Sequence, residues 1–177
     1  MLLKKNYIIW SIAILLSGIA AGEIFARFIL GLGTPPLSIR HPQIEYMFKP
    51  NQDVYRFGNH FIINQYGMRS APFEKKKQDG EYRIMIFGDS VLNGGNQTDH
   101  LSLATSLMQA NLDRLYEERV IVGNISAGSW GPGNWLCYVD KFGFFGADVV
   151  ALVVSSHDYA DNPEFDPENG NAEPRHK

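Results

Sequence analysis

The chain has one cysteine in 177 residues, which excludes an internal disulfide framework. Cys137 sits in Trp135-Leu136-Cys137-Tyr138, an apolar aromatic stretch that suits a buried, inert thiol rather than a nucleophile. No His/Cys cluster has metal-ligand spacing, so no metal is expected. Neither Gly-x-x-x-x-Gly-Lys-Ser/Thr nor Gly-x-Gly-x-x-Gly occurs, which removes the common nucleotide-binding readings; no cofactor is expected. An excess of positive charge is missing too, and a net charge of −3 leaves no footprint for nucleic acid. What is there, 45% hydrophobic and 20% charged residues, is the ordinary make-up of a folded globular protein. The length suggests one domain with appendages.

The longest uncharged run lies at the amino terminus. Lys4 and Lys5 precede Tyr7 to Gly22, sixteen residues without a charge. Glu23 and Arg27 follow at i, i+4 and can pair on one helix face. Residues 7–30 are long enough to cross a bilayer if that pair lies near the outer interface. Lysines before the span favour a cytoplasmic N-terminus, placing the remainder outside the cytoplasm. The rival readings are a signal peptide cleaved near Gly18 to Gly22, leaving a secreted domain, and a soluble amphipathic helix.

Breakers at Gly31-Leu32-Gly33-Thr34-Pro35-Pro36 end the helix. Residues 32–81 read as an extracytoplasmic lead-in with short strands, including a hairpin of Val54 to Phe57 with His60 to Ile63 around Gly58-Asn59. Asn64 to Arg69 form a turn, and Lys75-Lys76-Lys77 a solvated loop. Strands are expected at Arg83–Phe87, Val120–Ile125 and Val149–Val154, the last apolar enough to be buried on both faces. Helices are expected at Leu101–Glu118 and Asn134–Phe145. The first is marked by Leu101, Leu103, Ala104, Leu107, Met108, Leu112 and Leu115 at helical spacing. The order βαβαβ predicts an α/β fold with a doubly wound parallel sheet over residues 82–160, followed by a polar tail over 161–177.

Each strand ends in a polar or glycine-rich loop, and a parallel sheet puts all three loops on one edge. After the first comes Gly88-Asp89-Ser90, then Gly94-Gly95. A serine at the carboxyl end of a buried strand is where open α/β sheets place ligands. Gly88 lets the backbone turn without steric cost, leaving a hydroxyl beside backbone N–H groups, the arrangement of a nucleophile with half an oxyanion hole. A plain strand-to-loop turn capped by Asp or Ser is the competing reading.

These residues resemble the SGNH (GDSL-type) hydrolase superfamily, whose members carry four short blocks on a flavodoxin-like sheet. Phe87-Gly88-Asp89-Ser90 looks like the first block, with Ser90 as nucleophile and Asp89 supporting it. Asn124-Ile125-Ser126-Ala127-Gly128 resembles the second, in which the backbone N–H groups of Ser90 and Gly128 hold the oxyanion. Ser155-Ser156-His157-Asp158 is similar to the third, with His157 where the family has the oxyanion Asn, and Asp158 holding the loop. Asn64 to Arg69 also looks like the lead-in of exported bacterial members. The family's fourth block, Asp-x-x-His, should come two strand-helix units later, and only 19 residues follow Asp158. Glu173-Pro174-Arg175-His176 has the spacing, which makes His176 a candidate base, but it comes too early and lies in a polar tail. The resemblance therefore implies a fold incomplete at its C-terminus.

The resemblance implies an exported, membrane-anchored serine esterase or O-acyltransferase, weak or inactive as the chain stands, acting on ester (acetyl) groups of a small molecule or envelope polysaccharide. Two alternatives are a non-catalytic SGNH-like fragment or polysaccharide-assembly component, and an unrelated doubly wound ligand-binding domain.

Overall fold

The structure, a computed structural model, describes residues 2–156 and Asp158. His157, His176 and the polar tail lie outside the described residues. The protein is a mixed α/β chain with an N-terminal apolar helix and a three-stranded parallel sheet. Helix α1 runs Leu2–Ile24 and continues as a π-helical turn, Phe25–Ile29. Residues 6–29 form a stretch long and apolar enough to cross a membrane, and none of it is buried by the rest of the chain. Arg27 Nε bonds Glu23 Oε1 one turn away, as the spacing predicts.

Two antiparallel hairpins follow. Strands β1 (Ser38–His41) and β2 (Glu45–Phe48) form the first, and β3 (Gln52–Arg56) and β4 (Asn59–Ile63) the second, in the register Arg56↔Asn59. The second pair matches expectation. The first has no clear signal in the sequence, because Pro42 and the mixed polarity of residues 37–49 hide any alternation. It is nonetheless a core element: Ile44 and Met47 are buried in one cluster with Met68, Phe73, Met85, Phe87, Ile125 and Trp130.

The sheet has the order β6 (Arg119–Ser126), β5 (Glu81–Gly88), β7 (Val149–Leu152), all parallel. Central β5 (Glu81–Gly88) carries Met85 and Phe87 into the large core and Ile86 into a second cluster with Leu92, Val120 and Val122. Opposite faces are thereby filled by alternate residues, as a strand buried on both sides requires. Helix α3 (Ala104–Leu112) sends Leu112 to the second cluster, and α4 (Pro132–Phe142) sends Trp135 and Tyr138 to the first.

Three expectations need correction. The helix expected over Leu101–Glu118 spans only Ala104–Leu112, and Leu101, Leu107, Met108 and Leu115 are exposed. Asp113 and Gln109 of this region serve β6 (Arg119–Ser126) instead, accepting from Val120 N–H at 2.8 Å and Val122 N–H at 2.9 Å. Among the described residues, strand β7 (Val149–Leu152) is a sheet edge and not a two-sided buried strand: Val149 is 39% exposed, Val150 45% and Leu152 59%. The Lys75–Lys77 loop is more than solvated charge, since its backbone carbonyls receive the buried Arg83 guanidinium and Lys77 Nζ pairs with Asp148 at 2.5 Å. Cys137 is half-buried, and burial together with Asp140 raises its thiol pKa, which suits an inert residue.

Candidate functional site at the carboxyl edge of the sheet

Gly88 of β5 pairs with Ser126 of β6, and Phe87 with Leu152 of β7. Because the strands are parallel, Asp89-Ser90, Ala127-Gly128 and Val153 to Ser156 all leave from the same edge. The chain passes from β5 to β6 on one side and then crosses to β7 on the other. The end of β5 is therefore the topological switch point, where open α/β sheets form their ligand crevice.

At that point the chain makes a tight strand-to-helix turn. Asp89, buried, accepts Val91 N–H at 2.8 Å on Oδ1 and caps the four-residue helix α2 (Ser90–Asn93). Gly88 works differently from the sequence expectation. Its φ lies outside the left-handed region, but a Cβ there would stand 2.7 Å from Leu92 Cβ, so glycine is needed for close packing of α2 on β5. Trp135 Nε1 donates to Gly88 O at 3.2 Å and anchors the same corner. Gly94, in contrast, does need glycine's freedom, with φ 73° as it ends α2. Ser90 is exposed, and its hydroxyl and N–H have no hydrogen-bond partner among the described residues.

Gly128 is exposed in the turn after β6, between buried Ala127 and Trp130, where Trp130 N–H reaches Ala127 O at 3.4 Å and Ser129 takes φ 56°. Its N–H is unpartnered among the described residues, and a Cβ added there would meet nothing within 4 Å. An open groove of about 590 Å³ runs between this turn and the first hairpin, lined by Ile39, Arg40, Tyr46, Phe48, Gly128 and Ser129 among others. Ser90 does not line it.

Behind the two turns lies a buried polar network. Asn93 Nδ2 reaches Ser126 O and Oγ at 3.4 Å; Ser126 Oγ donates to Asn124 Oδ1. Asn124 Nδ2 donates to Leu92 O at 3.0 Å and Thr105 Oγ1 at 3.2 Å. These bonds fasten α2 to β6 and so fix the Ser90 turn relative to the Gly128 turn. Sequence reasoning gives Asn93, Ser126 and Thr105 no role. The available signal is Asn124-x-Ser126 inside a strand otherwise apolar, since buried polar groups are there to be bonded.

In the third loop Asp158 is buried, accepting Ser155 N–H at 2.7 Å and Ser155 Oγ at 3.2 Å. It holds the loop. His157 and His176 are outside the described residues. Of the other histidines, His41 Nδ1 accepts Ile44 N–H at 3.1 Å, with its pKa lowered by burial and by the Lys141 charge. His60 pairs with Asp53 at 3.2 Å. His100 is buried with Nδ1 unpartnered, and burial, then the Arg69 charge, lowers its pKa. None of these three bonds Ser90. Among the described residues no group of three His, Cys, Asp or Glu is placed to hold a metal ion.

No family model matches this chain. A search of curated proteins likewise finds no match. The functional reading rests on the residues themselves.

Proposed function

We propose that this chain presents the nucleophile and oxyanion elements of an SGNH-type serine ester hydrolase or O-acyltransferase, anchored by α1 with its α/β part outside the cytoplasm. The observation that carries the reading is the pair Ser90 and Gly128. Both follow register-paired strand ends at the switch point, both are exposed, and both N–H groups lack a partner among the described residues. The strand order, with the first sheet strand central and the next two on either side of it, is also how a flavodoxin-like sheet begins.

In this reading Ser90 Oγ attacks the acyl carbonyl of an ester, and the Ser90 and Gly128 N–H groups donate to the oxyanion, with His157 as third donor. The resemblance supplies the substrate class, acetyl or similar esters of a polysaccharide or small molecule. The hydroxyl must lose its proton during attack, and none of the three described histidines bonds it. That observation favours a second reading, a non-catalytic SGNH-like protein. The two separate on 4-nitrophenyl acetate hydrolysis by the full chain in detergent micelles, compared with Ser90→Ala. Removal of a triad member leaves roughly 10³–10⁴-fold catalysis over water in serine hydrolases. A slow, Ser90-dependent rate supports the enzyme; equal rates for the two proteins support the second reading.

A further inference from the structure

The loop following Ser90 is held from the inside by one guanidinium. Arg69 is fully buried. Its Nη1 donates to Asn93 O and, at 2.6 Å, to Gly95 O; Nη2 donates to Thr98 O at 2.5 Å. Three carbonyls within residues 93–98 thus converge on one side chain. The guanidinium carbon lies 4.0 Å from the ring centroid of Phe61 on β4, a cation–π stack. Arg69 N–H donates to Asn124 O of β6 at 3.1 Å. One residue therefore joins the second hairpin, the edge of β6 and the loop after the serine.

Besides Arg69, Asn59 Nδ2 of the second hairpin donates to Asn96 O at 3.2 Å, and Gly95–Gln97 make a short 3-10 turn. Gly94 and Gly95, at φ 73° and 56°, have no side chains to pack, and of their two carbonyls that of Gly95 meets Arg69. Buried carbonyls need donors, and a planar cation with five N–H groups supplies several in a fixed geometry. Burial lowers the Arg69 pKa to about 10, with Asp99 opposing the shift, so the group stays cationic at neutral pH. Asp99 is itself fixed, accepting His60 N–H at 2.8 Å and Leu101 N–H at 2.9 Å. Asn93 is the last residue of α2, and Ser90 is its first.

We infer that Arg69 is a positioning residue for the candidate site: by clamping the Asn93–Thr98 loop it fixes the α2 turn that presents Ser90. This rests on the reading of Ser90 as nucleophile. The test compares wild type, Arg69→Met and Arg69→Lys as full chains in detergent micelles. Amide hydrogen exchange is followed in peptides covering 93–98, β5 and β6, together with the rate of Ser90 labelling by a fluorophosphonate probe. Arg69→Met should speed loop exchange and slow labelling by roughly tenfold each, the scale of a lost charge-assisted hydrogen bond, while β5 and β6 keep wild-type exchange. Lysine, which keeps the charge without the fork, should fall between. If Arg69→Met does not fold, Phe61→Leu removes the stacking face and should speed loop exchange roughly threefold. Unchanged loop exchange, equal acceleration in the strands, or unchanged labelling beside a loosened loop overturns the proposal. Wild-type protein that takes no label refutes the nucleophile reading, and loop exchange then decides the clamp alone.

Discussion

Replacing Glu81 by Gln removes the counter-charge from a guanidinium that is fully buried. Arg83 Nη2 meets Glu81 Oε2 at 2.6 Å and Nε meets it at 3.1 Å, with the carboxylate side chain only 4% exposed. The rest of the guanidinium is spent on carbonyls: Phe145 O at 2.7 Å, Glu74 O at 2.8 Å, and Lys75 O and Lys76 O at 3.1 Å. Breaking a buried ion pair by removing one partner costs about 3–5 kcal/mol. Gln retains a carbonyl acceptor and Arg83 keeps its four backbone partners, so Glu81→Gln belongs at or below the low end, about 2–3 kcal/mol. For a domain of this size that is a fall in Tm of roughly 10 °C. Arg83→Met is worse, because it strands the buried carboxylate and the buried Phe145 carbonyl and releases the three carbonyls of the 74–76 loop; at about 5 kcal/mol it approaches the whole stability of an ordinary domain. Thermal unfolding of the full chain in micelles, read by the fluorescence of buried Trp130 and Trp135, measures both variants. A shift under about 2 °C for Glu81→Gln, or Arg83→Met no worse than Glu81→Gln, refutes the account of how the 74–76 loop is held.

Three further outcomes follow from the same contacts. Stability should fall as pH drops. Burial lowers the His100 and His41 pKa values, so the unfolded chain takes these protons first and stability declines below about pH 6.5. Burial would raise the Glu81 pKa, but Gln78 N–H, Arg83 and Arg119 outweigh it, and the His60 and Leu101 N–H groups lower that of Asp99. Both carboxylates stabilise the fold above their unfolded values near 4 and lose that contribution as pH falls further. Urea midpoints from pH 8 to 4 test this; a midpoint that rises between pH 7 and 5 contradicts it, and His100→Phe should flatten the upper slope. Gly88→Ala should destabilise by about 1–3 kcal/mol through the Leu92 clash, whereas Gly128→Ala, facing open space, should stay within about 1 kcal/mol; denaturant melts that do not separate the two would be a failure. Leu152→Lys on the exposed β7 edge should leave Tm nearly unchanged and lower light scattering on heating, since charges blunt edge pairing. A large loss of Tm would show that this position is covered.

Legibility in the sequence follows the kind of signal each element carries. Strands β5 and β6 are legible because short, continuous apolar runs bounded by turns suit a strand buried on both faces, and β3–β4 because Gly58 interrupts two short strand-like runs. Their carboxyl ends place Ser90 and Gly128 on one edge without any contact information. Helix α3 is shorter than its pattern because Leu101 and Leu115 keep helical spacing although both stay in solvent, so periodicity alone does not reveal which side is covered. The β1–β2 hairpin has no such pattern, and what secures it is distant: Trp130 Nε1 donates to Tyr46 O at 3.0 Å and Asn134 Nδ2 to Ile44 O at 2.8 Å. Arg69 and Arg83 look like ordinary charges in the sequence. Their partners are mostly backbone carbonyls, which carry no residue-specific signature, so only the folded chain reveals what those cations hold.

The central proposal, that Ser90 is a nucleophile at the sheet edge served by N–H groups unpartnered among the described residues, is tested most directly by covalent trapping. Full-length protein in micelles is incubated with a fluorophosphonate, digested, and the adduct mapped by mass spectrometry beside Ser90→Ala. A phosphonyl adduct on Ser90 is expected, formed slowly and abolished by the substitution. Intact protein that carries no adduct at Ser90, or carries it on another residue, contradicts the claim.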